Sequence, residues 1–341
     1  MADAVKGAHR VSMMDIARAA GVSQKTVSRV VNDEPNVSAA VREAVTAAIA
    51  ELGFRPNAAA RALVTRRSRR IGMVTVTTTA YGPASILEGV EHAVRRAGYS
   101  LSLARMAGDD VQEYREAIER LVDEGCEAIV LSEPIDLGHP ALPVPAGLPL
   151  LSFDTPSSQH RPDELVVGAD EVGGARSATE HLLALGHPTV HHISGPPAWA
   201  ASGRRVQGWR AALDDAGVAA PPVVGGDWSP ASGYEAMREV LRRGDVTAVF
   251  VANDSMAIGA MRAVADAGLS VPGDVSVAGF DDTPESAYLA VPLTTVRQDF
   301  AEVTRLAMHR LLRTIEGHPP TERHRSIPTQ LVVRESTAPL A

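Results

Sequence analysis

Gln24, Lys25, Thr26, Ser28 and Arg29 fall within one short stretch, QKTVSRVVN, and all five can hydrogen-bond base edges or phosphates. Val27, Val30 and Val31 interleave with them at helical spacing, so a helix here has one apolar and one polar, basic side. Ser23 just before it reads as an N-cap. Upstream, Ser12 with Asp15 three residues on reads as a near capping box, and Ile16, Ala17 and Ala20 give a first helix an apolar face. Gly21 supplies a left-handed turn between the two, and Val22 fits the corner. Two short helices around such a turn, the second polar outside, is an arrangement that enters a DNA major groove.

A second group of residues could bind a polyol. Asp154, Asn253 and Asp281 each follow an apolar run, in LLSFD, AVFVAN and VAGFD. Strand ends form the lip of the ligand cleft in open α/β sheets. Carboxylates and amides there can pair with sugar hydroxyls, which both donate and accept. The same residue types after a strand also cap the following helix, so both readings stand. His181, His187, His191 and His192 do not read as a metal site. His191 and His192 are neighbours in a strand and face opposite sides. Cys126, the single cysteine, reads as a core residue, which leaves no disulfide framework.

These groups need elements to hold them. Ser38 with Val41, Val45, Ala48, Ile49 and Leu52 predicts a third helix, ended by Gly53. The segment from Asn57, NAAARALVTRRSRR, has helix propensity but little apolar surface, and reads as a linker that orders only when held. From Arg70 the texture changes. Strand-like runs RIGMVTV, SLSLARM, EAIVLS, PLLSFD and VVGAD, then TVHHISG, PVVGGDW, AVFVAND and VSVAGFDD, alternate with amphipathic helical stretches. Such alternation predicts parallel sheets covered on both faces. The strands are too many for one ordinary sheet, so two sheets facing a cleft are expected. The predicted fold is an all-α helix-turn-helix head (1–56), a hinge (57–69) and an α/β core (70–341) of two doubly wound parallel-sheet subdomains.

Charge divides the same way. The 341 residues carry a net charge of −8. Residues 1–70 hold 12 Lys and Arg against 6 Asp and Glu, a balance of +6, and the remainder holds 21 against 35, or −14. A basic head on an acidic body points to a polyanion met by the head alone. No apolar run reaches membrane-spanning length, and MADAVKGAHR lacks the apolar core of a signal peptide, so a cytoplasmic protein with no membrane partner is expected.

The segments AAGVSQKTVSRVVN, RPNAAARAL, EHLLALGH, ISGPPAW, RVQGW, GDWSPASGYEAM, NDSMAIGAMRAV, VSVAGFDDT and PLTTVRQDF occur in an order and spacing that resemble the lactose/galactose repressor family, nearest its lactose-responsive branch. The resemblance implies a core of periplasmic-binding-protein type. Its three crossovers are expected near Val167, Arg297 and Pro328. The first subdomain would span about 70–167 and 298–327, and the second about 168–297 and 328–341. It implies base reading by Gln24, Lys25 and Arg29, and polar contacts to the duplex from Ser23, Thr26, Ser28 and Asn32. In the hinge it implies Asn57, a close helix approach at Ala60 and a minor-groove wedge at Leu63. For the ligand it implies Asp154, Asn253, Asp281, Arg205 and Gln298 as polar contacts, and Trp228 as an aromatic wall. Ala80, Pro83 and Ile86 would form an apolar wall. Trp199 is an extra aromatic at the same lip, suited to a disaccharide. Val76 replaces a small hydroxyl residue, which argues against a lactose-type inducer.

The expected function is a palindrome-binding transcriptional repressor released by a sugar, with no cofactor and no catalytic role. A corepressor response to a purine or sugar phosphate is the alternative. GxxxxGK[ST], GxSxG and strand-borne GxGxxG motifs are absent, against an enzyme. A transport binding protein would fit the body but not the head. The C-terminal LVVRESTAPLA has no leucine heptad, so a homodimer is expected.

Overall fold

A computed structural model describes residues 11–32, 34–54, 67–76, 80–106, 111–132, 144–153, 161–244 and 246–340. Asn57, Ala60, Leu63 and Asp154 lie outside the described residues. The chain divides into two compact units, Met1–Arg69 and Arg70–Ala341.

In the first unit, α1 (Met13–Ala19), α2 (Gln24–Val31) and α3 (Ala39–Leu52) surround one small core. Each begins where a serine accepts a backbone N–H that the helix leaves unpaired. The Ser12 hydroxyl accepts from Asp15 at 3.3 Å, and the Asp15 carboxylate accepts the Ser12 N–H at 2.9 Å, completing the capping box. Ser23 accepts from Thr26 at 3.1 Å, and Ser38 from Val41 at 3.4 Å. Gly21 turns the chain at φ 66° and Gly53 ends α3 at φ 62°, both in the left-handed region. Ile16, Ala17, Val27, Val30, Val45, Ala48 and Phe54 make the buried cluster, and Val22 packs against it from the turn.

The second unit holds two six-stranded sheets. The first contains β1 (Arg70–Val76), β2 (Ser100–Met106), β3 (Ile129–Ser132), β4 (Leu150–Ser152), β5 (Leu165–Ala169) and β11 (His324–Ile327), in the order β11-β5-β4-β3-β1-β2. The second contains β6 (His191–Ser194), β7 (Val224–Gly225), β8 (Ala248–Val251), β9 (Ser276–Asp281), β10 (Thr294–Arg297) and β12 (Gln330–Val332), in the order β12-β10-β9-β8-β6-β7. Most of these strands are buried along their length, as expected for sheets covered on both faces. On the first sheet Ile71 and Met73 feed one apolar cluster, and Val74 and Val76 feed another.

Helices α4 (Tyr81–Arg96), α5 (Val111–Asp123) and α10 (Phe300–Ile315) flank the first sheet. Helices α6 (Glu171–Ala184), α7 (Ala200–Asp215), α8 (Pro230–Arg242) and α9 (Asp254–Asp266) flank the second. The chain passes between the sheets at Asp170, at Gln298–Asp299 and at Pro328–Thr329. These strands are tied together there: the Asp170 N–H donates to the Ile327 carbonyl at 2.8 Å, and the Thr329 hydroxyl to the Asp170 carbonyl at 3.1 Å.

One pairing departs from the expected all-parallel sheets. β12 runs antiparallel to β10, with Thr295 opposite Val332 and Arg297 opposite Gln330. β10 ends where the chain leaves this sheet at Gln298–Asp299, and β12 begins where it returns at Pro328–Thr329, so the two strands run in opposite directions.

Two helix pairs pack closely enough to require glycine. A Cβ on Gly259 of α9 would overlap the Pro230 carbonyl oxygen of α8, and one on Gly208 of α7 would overlap the Val172 carbonyl oxygen of α6. These clashes are with backbone and cannot be relieved by a rotamer. Gly259→Ala is therefore expected to destabilise the core by about 3 kcal/mol, at the upper end of overpacking costs. Urea unfolding checks this, and a change under about 0.5 kcal/mol, the range of neutral surface changes, would contradict it.

Candidate functional site

The polar side of α2 is presented outward by its own packing. Val27 and Val30 are buried in the head core, which leaves Ser23, Gln24, Lys25 and Arg29 exposed and Thr26, Ser28 and Asn32 half-buried. Several of these groups are already oriented. The Ser23 and Thr26 hydroxyls lie 2.8 Å apart, the Asn32 amide donates to the Ser28 hydroxyl at 3.3 Å, and Arg29 Nε lies 3.5 Å from a Glu34 carboxylate oxygen. Gln24 and Lys25 are exposed in the first turn of α2. Arg29 carries a neighbouring carboxylate that sequence spacing did not reveal.

In the second unit a cleft opens between the two sheets, with about 560 Å³ of empty space including its mouth. Nine residues singled out in the sequence line it: Ala80, Pro83, Ile86, Trp199, Arg205, Trp228, Asn253, Asp281 and Gln298. Val76 is instead buried in the first-sheet core, so its difference from a hydroxyl residue acts through packing. Gly82, Ser132, Phe153, Glu171, Ala201 and Phe300 also line the cleft and were not found by sequence reasoning. Glu171 carried a misleading signal, because an acid in the first turn of a helix ordinarily serves the helix dipole.

Arg205 organises the polar floor. It projects from α7 and is only 5% exposed. One terminal nitrogen donates to the Ala252 carbonyl at 2.5 Å. The other donates to Glu171 at 2.8 Å and lies 3.5 Å from Asp281. Its guanidinium sits 4.0 Å from the Phe280 ring centroid and 5.5 Å from that of Trp228. Arg205 Nε and Trp228 Nε1 are buried without a hydrogen-bond partner among the described residues. An unpaired buried donor costs free energy until something accepts from it, and a sugar hydroxyl can.

Backbone geometry fixes the lip. Asp281 and Asp282 take φ 111° and 53° where β9 ends, and Trp228 takes φ 75°. Such values are strained for residues other than glycine and persist only where surroundings over-determine them. Arg297 and Arg334 grip the two Asp282 oxygens at 2.6 and 2.5 Å. The Trp228 ring lies against Gly195, where any side chain would overlap it, and the Trp228 carbonyl accepts from Asn253 at 3.2 Å. Asn253 also caps α9 by accepting from Met256 at 2.8 Å, so its amide serves the helix and the cleft together. Trp199 meets Trp228 edge-to-face at 5.5 Å and packs against the first-sheet core, bridging the two subdomains.

Among the described residues no three His, Cys, Asp or Glu side chains are grouped as a metal ion would need. His192 is fully buried, stacked against Phe250 and Trp209, and burial pushes its pKa down to about 4. Among the described residues no helix is long and apolar enough to cross a membrane.

Residues 12–57 match the model for bacterial regulatory proteins of the lacI family, and residues 179–337 match a periplasmic binding protein-like domain. The lactose operon repressor of Escherichia coli (strain K12) is 35% identical over 331 residues, 96% of this chain and 91% of that protein. The chain belongs to the lacI family. The fold agrees at full length. The crystal structure of the lac repressor dimer bound to operator and the anti-inducer ONPF superposes with a TM-score of 0.86 at 32% identity, covering 97% of this chain and all of that one. The transcriptional regulator CelR in complex with cellobiose superposes with a TM-score of 0.72 at 33% identity, covering 96% and 100%.

In this lacI-family core, Asp281 is a proton-sensitive group. Burial pushes its carboxyl up to about 7, against the pull of Arg205, and the buried Asp254 nearby is pushed up to about 6. The folded chain thus holds the Asp281 proton more tightly than the unfolded chain, whose carboxyl titrates near 3.8. The contribution of Asp281 to stability is fullest below that value and is lost as pH rises through about 7. Asp281→Asn can still accept from Gln298, which now donates to Asp281 at 2.8 Å. It is expected to stabilise the unliganded core at pH 8 by about 2 kcal/mol, discounted from the full shift because the Arg205 pairing is given up. Calorimetric scans from pH 5 to 8 check this. A variant whose stability falls as steeply as wild type between pH 5 and about 7 would refute the assignment.

Proposed function

We propose that the chain is a cytoplasmic, sugar-responsive transcriptional repressor that acts as a homodimer on a palindromic operator. Its head presents Gln24, Lys25 and Arg29 to base edges, and Ser23, Thr26, Ser28 and Asn32 to the backbone. Asn57, Ala60 and Leu63 complete the contact through the hinge. The effector is a neutral glycoside, foremost a disaccharide, and the chain is not a catalyst. The observation that carries this reading is the cleft between the sheets. Arg205, Asp281, Gln298 and Asn253 converge there beside two tryptophans and an apolar wall of Ala80, Pro83 and Ile86. Asp154 is proposed as a further polar contact. The lac repressor dimer on its operator and CelR with cellobiose support the DNA, dimer and disaccharide parts.

Sugar between the subdomains changes DNA affinity only through its differential affinity for two core geometries. The experiment is operator binding by fluorescence anisotropy at fixed salt, with lactose, cellobiose, their component hexoses, hexose 6-phosphates and purines added in turn. A neutral disaccharide is expected to weaken operator binding at least tenfold. A purine or sugar phosphate that tightens binding would establish the corepressor alternative.

A further inference from the structure

The cleft contains a buried carboxylate that neither helix capping nor the base-reading head requires. Asp170 already caps α6 by accepting the Gly173 N–H at 2.9 Å. Glu171, the next residue, is 2% exposed and turned into the cleft wall. Its Oε1 accepts from Arg205 at 2.8 Å and its Oε2 from Arg204 at 2.5 Å. We propose that Glu171 is a charge-selecting residue, a built-in anion that admits neutral sugars to the cleft and rejects phosphorylated or carboxylated ones. This rests on the reading of the cleft as a sugar site.

Three features support the assignment. First, Arg205 alone would be an anion receptor, because a bare guanidinium fork matches a phosphate or carboxylate bidentately. Here its fork is spent on Glu171, Asp281 and the Ala252 carbonyl. The unpartnered Nε–H suits one hydroxyl oxygen rather than an anion. Second, the N-terminus of α6 is a natural anion position, where the helix dipole and free N–H groups favour negative charge. Asp170 and Glu171 occupy its first residues. Third, Glu171 stays ionised, because the flanking Arg205 and Arg204 overcome the cost of its burial and hold its pKa below the usual carboxylate range. A phosphate reaching Arg205 would meet that fixed charge within the same guanidinium's span, in a poorly screened interior.

The test is isothermal titration calorimetry on the full chain with cellobiose, lactose and the 6-phosphate of each. Wild type is expected to bind a neutral disaccharide at least a hundredfold more tightly than its phosphate. Glu171→Gln is expected to narrow that ratio at least tenfold. Arg204→Gln removes a cation that partly neutralises Glu171 and is expected to widen it at least threefold. A Glu171→Gln protein that folds, melts at a changed temperature and keeps the wild-type ratio would reduce Glu171 to a structural ion pair and overturn the proposal. If Glu171→Gln does not fold, Arg204→Gln decides: a wider ratio supports the proposal, and an unchanged or narrower one overturns it. A wild-type chain that prefers a phosphate also overturns it. A wild-type chain that binds neither disaccharide in either form defeats the underlying sugar reading.

Discussion

Arg205→Lys is expected to yield a repressor that still forms its operator complex but no longer responds to sugar. Lysine keeps the charge but not the fork, so it cannot together serve the Ala252 carbonyl, Glu171 and Asp281. It also gives up the flat face that guanidinium lays over Phe280 at 4.0 Å. Sugar affinity is expected to fall at least a hundredfold, about 3 kcal/mol. Arg205→Ala goes further. It leaves Glu171 an ionised buried carboxylate with Arg204 as its remaining cation, and breaking a buried pair this way costs about 3–5 kcal/mol of stability. The measurements are operator anisotropy with and without sugar for the lysine variant, and urea unfolding for the alanine variant. A lysine variant released by the same sugar concentration as wild type would place the effector elsewhere.

On the head, Gln24→Ala and Lys25→Ala are expected to change DNA recognition without changing the fold, because both side chains are exposed and neither enters the apolar cluster. Removing a side chain that hydrogen-bonds a base edge should cost about 1–3 kcal/mol on the operator and relax preference at one position. Salt dependence separates the roles. A Lys25 that touches phosphate lowers the slope of log affinity against log salt by about one when removed, whereas a Lys25 that reads a base leaves the slope and lowers selectivity. Both variants keeping wild-type affinity and selectivity would remove the α2 outer face from the reading surface. Val27→Ala serves as the contrast, since Val27 is fully buried and its truncation should weaken the head itself.

The head was legible because its signals are local. Ser12, Ser23 and Ser38 each bond an N–H within three residues, and Gly21 and Gly53 each meet a left-handed turn in place. The apolar runs of β1, β8 and β9 were legible for a related reason, since a strand buried on both faces has few polar positions. Asn253 and Asp281 followed from where those runs stop. Helix α10 was missed although its signal was present: an Asp299 cap precedes Val303, Ala307, Met308 and Leu311 at helical spacing. Strand β10 was missed too, despite its β-branched Thr294, Thr295 and Val296. β11 reads HRSI and is mostly exposed, and β12 is three residues long.

The sequence by itself determined the head and the alternating core, through periodicity and caps a few residues away, and Asn253 and Asp281 through the ends of apolar runs, whereas Arg205, Gln298, Trp228 and the apolar wall came from the family resemblance. Only the tertiary structure decided what those residues do to one another. Glu171 meets Arg205 from 34 positions away, and Gln298 reaches Asp281 across 17 through a crossover between the sheets. Asp254 gathers Thr283, Ser286 and Thr295 around one carboxylate. Burial then raises Asp281 while two arginines hold Glu171 down, so two carboxylates in one cleft behave oppositely. Desolvation and charge pairing are set by what surrounds a group in three dimensions, and neighbours along the chain carry little of that information.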